Sequence, residues 1–226
     1  MTPLRVLLVE DHVLVRAGIR ALLEQMPDVE VVGEADNGRQ TLQQVKTLRP
    51  AVVLMDITMA DLNGLDATAY ITRDYPQVRV VVLSVHATEP YVVRAVEAGA
   101  AGYLVKTAAR EELEAALRTV VQGRTYLSPA IASHVTNHLR RLRGQEPGTS
   151  VATSTEKPLR TSERELLQLI AEGYTAKEIA PRLHLSQKAI ESRRARLMDR
   201  LDIHDLPGLI RYAIRLGLID TESEQG

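Results

Sequence analysis

Between Leu4 and Gly123 the chain alternates short apolar runs with helix-period segments about five times, and few architectures accommodate that pattern. The apolar runs are Arg5–Val9, Val29–Ala35, Ala51–Met55, Arg79–Ser84 and Gly102–Val105. They are short, nearly continuous and rich in β-branched residues, as strands buried on both faces are. Between them Val15, Ile19, Leu22 and Met26 recur at helical spacing, as do Leu113, Ala116, Leu117, Val120 and Val121. Pro27, Pro50 and Pro76 each stand between a helix and the next strand, where a missing N–H does no harm. Strict alternation with short connections predicts an α/β, doubly wound, five-stranded parallel sheet. About 120 residues is one domain's worth of chain.

In such a sheet the strand C-termini open on one edge, and ligands bind in the crevice beyond it. Glu10-Asp11 follows the first strand, Asp56 the third, Ser84 the fourth and Lys106 the fifth. Singly each has an ordinary explanation: Asp11 as a helix cap, Asp56 as a turn residue, Ser84 as a strand-end cap, Lys106 as a surface charge. Their placement at matching strand ends makes coincidence a poor account. Clustered carboxylates repel one another unless a cation joins them, and hard oxygen donors of this kind suit Mg²⁺. The cation offsets the charge of an incoming phosphoryl group, whose remaining oxygens a lysine and a hydroxyl can hold. The chemistry that uses this set is attack by a carboxylate on a phosphoryl donor, giving an aspartyl-phosphate.

The composition excludes other classes. Among 226 residues, 45% hydrophobic and 25% charged, there is no cysteine, so disulfides and thiolate metal sites are ruled out. The apolar run Val6-Leu7-Leu8-Val9 is too short for a signal peptide or a membrane span, and a cytoplasmic protein without membrane association is expected. No Gly-rich fingerprint follows the first strand, which disfavours a dinucleotide site. The net charge of −1 is unevenly spread: 13 basic against 16 acidic residues up to Tyr126, 15 against 13 beyond it.

Past Tyr126 the character changes. Ser128-Pro129 opens a helical pattern carrying Ile131, Val135, Leu139 and Leu142, closed by Arg140, Arg141 and Arg143. His134 and His138 lie four apart on it without a third ligand, a weak metal signal. From Gly144 to Pro158 the residues are small, polar or charged, as in a flexible linker. The expected division is a first domain over 1–126, a connector helix and linker over 127–158, and a second domain over 159–226.

That second domain shows four helical segments and no strand. Ser162-x-x-Glu165 reads as a capping box for the first, and Glu172-Gly173 ends it. A short helix over Thr175–Leu183, a tight turn and a longer helix capped by Ser186 have helix-turn-helix spacing. On the longer helix Ile190, Leu197 and Leu201 share one stripe. Lys188, Glu191, Ser192, Ala195 and Asp199 lie opposite, flanked by Arg193, Arg196 and Arg200 on one side, with Arg194 towards the other. A face with small polar residues in its middle and arginines beside it fits a major groove, although charged helix faces are more often simply solvated. The last helix carries Leu206, Leu209, Ile210, Ala213 and Ile214 at helical spacing.

The Glu10-Asp11, Asp56, Ser84 and Lys106 set resembles the receiver domain of two-component response regulators. Leu167-Gln-Leu-Ile-Ala-Glu-Gly, Lys177-Glu-Ile-Ala-x-x-Leu-x-Leu-Ser and Tyr212-Ala-Ile-x-x-Gly-Leu-Ile resemble the LuxR-type helix-turn-helix that ends regulators of the NarL/FixJ type. The resemblance implies a CheY-like sheet of order 2-1-3-4-5. It makes Asp56 the phosphoacceptor and gives Mg²⁺ to Asp11, Asp56 and the Thr58 carbonyl, with Glu10 acting through metal-bound water. Lys106 would contact the phosphoryl group, Ser84 would turn inward to bond it, and Tyr103 would swing inward with Ser84. In the second domain Glu191, Ser192 and Ala195 would read bases, while Lys177, Lys188, Arg193 and Arg196 would hold phosphates. The implied partners are a sensor histidine kinase, double-stranded DNA and a second copy of the chain on DNA, with RNA polymerase open as a further one.

The sequence departs from the family pattern in places. Thr107 stands where a proline usually follows the lysine, and the cis bond expected there costs about 3 kcal/mol without proline. Ala60 also replaces a frequent proline. Ala176 stands for the usual Asn, Ala189-Ile190-Glu191 for Thr-Val-Lys, and Arg193 for a frequent His. Glu191 accepts from a cytosine amino group but repels phosphate, so operator preference is what these changes touch. A haloacid-dehalogenase-type phosphatase would need a second Asp where Thr58 stands, so an enzyme is not expected. The remaining rival is a receiver whose helical module binds protein.

Overall fold

The computed structural model describes residues 2–132 and 159–219. They form two compact units. The first contains β1 (Leu4–Val9), α1 (Val13–Glu24), β2 (Val29–Ala35), α2 (Gly38–Leu48), β3 (Val52–Asp56), α3 (Gly64–Asp74), β4 (Arg79–Ser84), α4 (Glu89–Glu97), β5 (Gly102–Val105), α5 (Arg110–Val121) and β6 (Tyr126–Leu127). All strand pairs are parallel, in the order β2-β1-β3-β4-β5-β6. The order 2-1-3-4-5 is thus as expected, but the sheet has a sixth strand. Its two residues pair with Gly102 and Tyr103, across the boundary expected at Tyr126. A two-residue edge strand carries no periodicity of its own; the exposed edge of β5 selects it.

β3 lies at the centre, with every residue from Val52 to Asp56 buried. Alternate side chains enter opposite layers, as the two-residue period of a strand requires. Val52 and Leu54 join Val6, Leu8, Val81, Leu113 and Leu117 on one side. Val53 and Met55 join Leu7, Val9, Val45, Ile71 and Val80 on the other. Each fully buried side chain of this size contributes roughly 1.5–3 kcal/mol, so β3 cannot slip register without losing both layers.

The loop after β3 is folded back onto the strand. Asn63 caps α3 by accepting from Asp66 N–H at 2.9 Å, and its own amide donates to Asp66 Oδ2 at 2.8 Å. Gly64 N–H donates to the Ile57 carbonyl at 2.8 Å. A Cβ on Gly64 would lie 1.7 Å from the Asp56 carbonyl oxygen, so only glycine lets α3 start this close to the strand end.

No cis peptide occurs among the described residues, so the Lys106–Thr107 bond is trans, contrary to the family expectation. With threonine in place of proline the trans form is the favoured one by several kcal/mol.

The second unit contains α6 (Thr161–Ala171), α7 (Ala176–Arg182), α8 (Gln187–Leu201) and α9 (Leu206–Arg215) around one apolar cluster. Thr175, Ser186 and Asp205 cap the last three helices, each accepting from a backbone N–H three residues on. The cap expected at Ser162 is corrected. The helix starts at Thr161, Glu163 accepts from Arg160 N–H at 2.7 Å, and Glu165 is buried. Burial of Leu166, Leu167 and Ile170 sets the helix frame, which places Ser162 inside the first turn. Gly173, at φ 89°, ends α6.

Residues 129–132 are helical, as Ser128-Pro129 implied. His134, His138 and the rest of the connector and linker lie outside the described residues. Among the described residues no helix is long and apolar enough to cross a membrane.

Candidate functional site

The strand ends of the first unit bring the predicted rim residues together. Glu10 and Asp11 leave β1, Asp56 ends β3, Ser84 ends β4 and Lys106 follows β5. The Lys106 ammonium lies 2.7 Å from Glu10 Oε2 and 2.9 Å from Asp56 Oδ2, bridging the two buried carboxylates. The backbone carries it there: Lys106 N–H donates to the Ser84 carbonyl at 2.8 Å, one step beyond the β4–β5 ladder. The other Asp56 oxygen, Oδ1, accepts from Ile57 N–H at 2.8 Å. Thr58 sits half-buried in the loop two residues after Asp56.

Ser84 and Tyr103 form a second group beside this one. The Ser84 hydroxyl accepts from His86 N–H at 3.0 Å, so it is held on His86 rather than on Asp56. The Tyr103 hydroxyl donates to the His86 carbonyl at 2.6 Å. Tyr103 is already inward, at 1% exposure. His86 was not foreseen; nothing in the sequence marks it, and only the turn after β4 puts its backbone between the two hydroxyls. His12 follows Asp11 off the first strand, but the sequence alone assigns it no role. Its Nδ1 lies 2.8 Å from Asp11 Oδ1 and 3.2 Å from Glu10 Oε1.

Burial dominates the electrostatics. It pushes the Asp56 carboxyl up to about 7, against the pull of Lys106 and with the repulsion of Glu10 and Asp11 added. Asp11 is raised too, first by burial, with His12 opposing. Burial pulls the Lys106 ammonium down, but Asp56 and Glu10 outweigh it and the net shift is upward. Burial also raises the Tyr103 phenol to about 12, so it remains a hydrogen-bond donor at neutral pH. Oxygen atoms of Glu10, Asp11 and Asp56 lie with a His12 nitrogen within 4.8 Å of one another. Three carboxylates facing one ammonium are the donor set that a hard divalent cation such as Mg²⁺ fits.

In the second unit all seven predicted DNA-face residues are exposed: Lys177 on α7, and Lys188, Glu191, Ser192, Arg193, Ala195 and Arg196 on α8. Ile190, Leu197 and Leu201 on the opposite side of α8 are buried, as their stripe implied. Two arginines of α8 are tied back. Arg200 pairs with Glu163 at 2.5 Å, and Arg196 lies along Ser192, 3.3 Å from both its carbonyl and its hydroxyl. Glu191 accepts from the Gln187 amide at 2.9 Å.

The raised Asp56 carboxyl has a consequence for stability. A carboxyl whose folded pKa lies above its usual 3.8 loses stability as pH climbs from that value through about 7. Without divalent cation, Asp56→Asn should therefore melt about 4 °C or more above wild type near pH 8. The two should converge near pH 4, followed by calorimetry in a chelator. Equal melting temperatures near pH 8 would contradict the buried-charge account.

Comparison with known proteins agrees with this geometry. Residues 6–118 match the response regulator receiver domain, and residues 157–213 match the bacterial regulatory proteins of the luxR family. Response regulator UvrY of Escherichia coli (strain K12) is 40% identical over 97% of this chain and 98% of its own. Response regulator GacA of Pseudomonas aeruginosa is 36% identical over 97% of this chain and 100% of its own. Among solved structures, a LuxR-family response regulator from Aurantimonas sp. SI85-9A1 aligns at TM-score 0.59 and 32% identity, over 62% of this chain and 99% of that one. A structure of two RcsB dimers bound to two parallel DNAs aligns at TM-score 0.57 and 25% identity, over 97% and 100%. The chain belongs to the two-component response regulators of the NarL/FixJ type, DNA-binding transcription regulators rather than enzymes, with a receiver domain followed by a LuxR-type helix-turn-helix.

Proposed function

We propose that Asp56 takes a phosphoryl group from a sensor histidine kinase, and that the second domain then binds double-stranded DNA as a dimer. The observation that carries the reading is the Lys106 ammonium seated between Glu10 and Asp56 at the strand ends. It lowers the cost of ionising a buried nucleophile and stands ready for the oxygens of an incoming group. Glu10, Asp11, Asp56 and the Thr58 carbonyl would hold Mg²⁺, which supplies charge neutralisation for the phosphoryl oxygens. In the transfer an Asp56 carboxylate oxygen bonds to phosphorus as the phosphorus–nitrogen bond of the donor histidine breaks. Lys106 would then exchange its contact with Asp56 for one with the phosphoryl group. Ser84 would leave His86 N–H to donate to it, with Tyr103 filling the space behind.

On this reading residues 1–126 act as the receiver, 127–158 as connector and linker, and 159–226 as the DNA-binding domain, in a cytoplasmic protein. The exposed α8 face supports major-groove docking, with Arg193, Arg196, Lys177 and Lys188 on phosphates and Glu191, Ser192 and Ala195 towards bases. That RcsB binds DNA as dimers supports the same arrangement here, and RNA polymerase is a further partner consistent with a transcription regulator.

Two measurements test these halves separately. Incubation with labelled acetyl phosphate and Mg²⁺ should label wild type and leave Asp56→Asn unlabelled; label retained by the variant would overturn the phosphoacceptor. Arg196→Ala should weaken binding to all DNA sequences and lower the salt slope by about one ion. An unchanged slope would remove Arg196 from the DNA face and favour the protein-binding alternative.

A further inference from the structure

The start of the connector is built into the receiver. Tyr103 pairs with Leu127 in the sheet, and Ser128 N–H donates to the Tyr103 carbonyl at 3.0 Å. The Ser128 hydroxyl donates to Glu112 and accepts from Val105 N–H at 3.4 Å. Ser128 thereby fixes the turn that follows, its carbonyl accepting from Ile131 and Ala132 N–H at 2.9 and 3.2 Å. Ile131 is fully buried. It shares one apolar cluster with Tyr103, Ile57, Leu65, Val82, Val92 and Ala95, against which Leu127 also packs.

Of the proposed switch residues, Tyr103 lies in this cluster. Tyr103 enters it while its hydroxyl reaches the His86 carbonyl, and His86 N–H holds Ser84. An unbroken line of contacts therefore runs from the Ser84 hydroxyl through His86 and Tyr103 to the residue that begins the path to the DNA-binding domain. Close-packed interiors do not deform continuously, so a ring leaving this pocket opens a void beside Ile131.

We propose that the first connector turn, residues 128–132, is a contact element of the phosphorylation switch. Ile131 is a positioning residue that holds Tyr103 inward, and inward Tyr103 in turn holds the connector docked. Coupling between two such elements is reciprocal. Phosphorylation, which draws Ser84 from His86 towards Asp56 and holds Tyr103 in its inward position, tightens the connector, and loosening the connector weakens the response at Asp56. The inference rests on the phosphoacceptor reading above and adds to it the element that carries the signal out of the receiver.

Hydrogen exchange on the full chain, with and without beryllium fluoride and Mg²⁺, separates the two. Amides over residues 84–90 report the site and amides over 126–132 report the connector. Exchange in both is expected to slow, about threefold or more, on adding the phosphoryl mimic. A response at 84–90 with none at 126–132 would overturn this inference and leave the phosphoacceptor standing. Silence at both would overturn both.

Ile131→Ala should raise the beryllium fluoride concentration for half-response about threefold or more, with Ile131→Val close to wild type. A variant that melts lower yet keeps the wild-type half-response would reduce Ile131 to a core residue and overturn the proposal.

Discussion

The receiver depends on burying like charges around a single ammonium. Glu10 and Asp56 are shielded from water, and Lys106 touches both. Isolated buried carboxylates would neutralise rather than stay charged, and the rise of Asp56 to about 7 shows how near this one comes. The geometry that makes the pair tolerable is set elsewhere, by β3 locked between two apolar layers and by Gly64 drawing α3 onto the strand end. A rim with excess negative charge in a rigid frame gains most from a cation and a phosphoryl group arriving together.

The second unit solves a different problem with the same economy. Its small core takes one stripe of α8 and leaves the basic face in water. Arg200 is the exception, since its pairing with Glu163 ties α8 to the start of α6. Arg196, by contrast, lies along Ser192 of its own helix and stays on the exposed face that the proposed DNA contact uses.

Much of this was legible in the sequence because a parallel sheet converts strand order into position. Once Ala51–Met55 was recognised as a buried strand, the residue after it had to lie on the rim with those after the other strands. Helix periodicity likewise assigned Ile190, Leu197 and Leu201 to the core. The sixth strand, the role of His86 and the burial of Ile131 were not legible, since each depends on which elements become neighbours in space. The cap of α6 was misplaced for a similar reason: Ser162-x-x-Glu165 has the right residues, but with Leu166, Leu167 and Ile170 in the core the helix caps two residues earlier, at Arg160. The trans peptide after Lys106 follows from one residue, Thr107 in place of proline.

The central claim is that the state of Asp56 controls the second domain. The most direct test is the affinity of the full chain for a DNA site selected from a random pool, measured at fixed salt with and without beryllium fluoride and Mg²⁺. The account predicts tighter binding with the phosphoryl mimic, about tenfold or about 1.4 kcal/mol, and no change in Asp56→Asn. Equal affinity in both states of the wild-type protein, at a site it binds specifically, would contradict it.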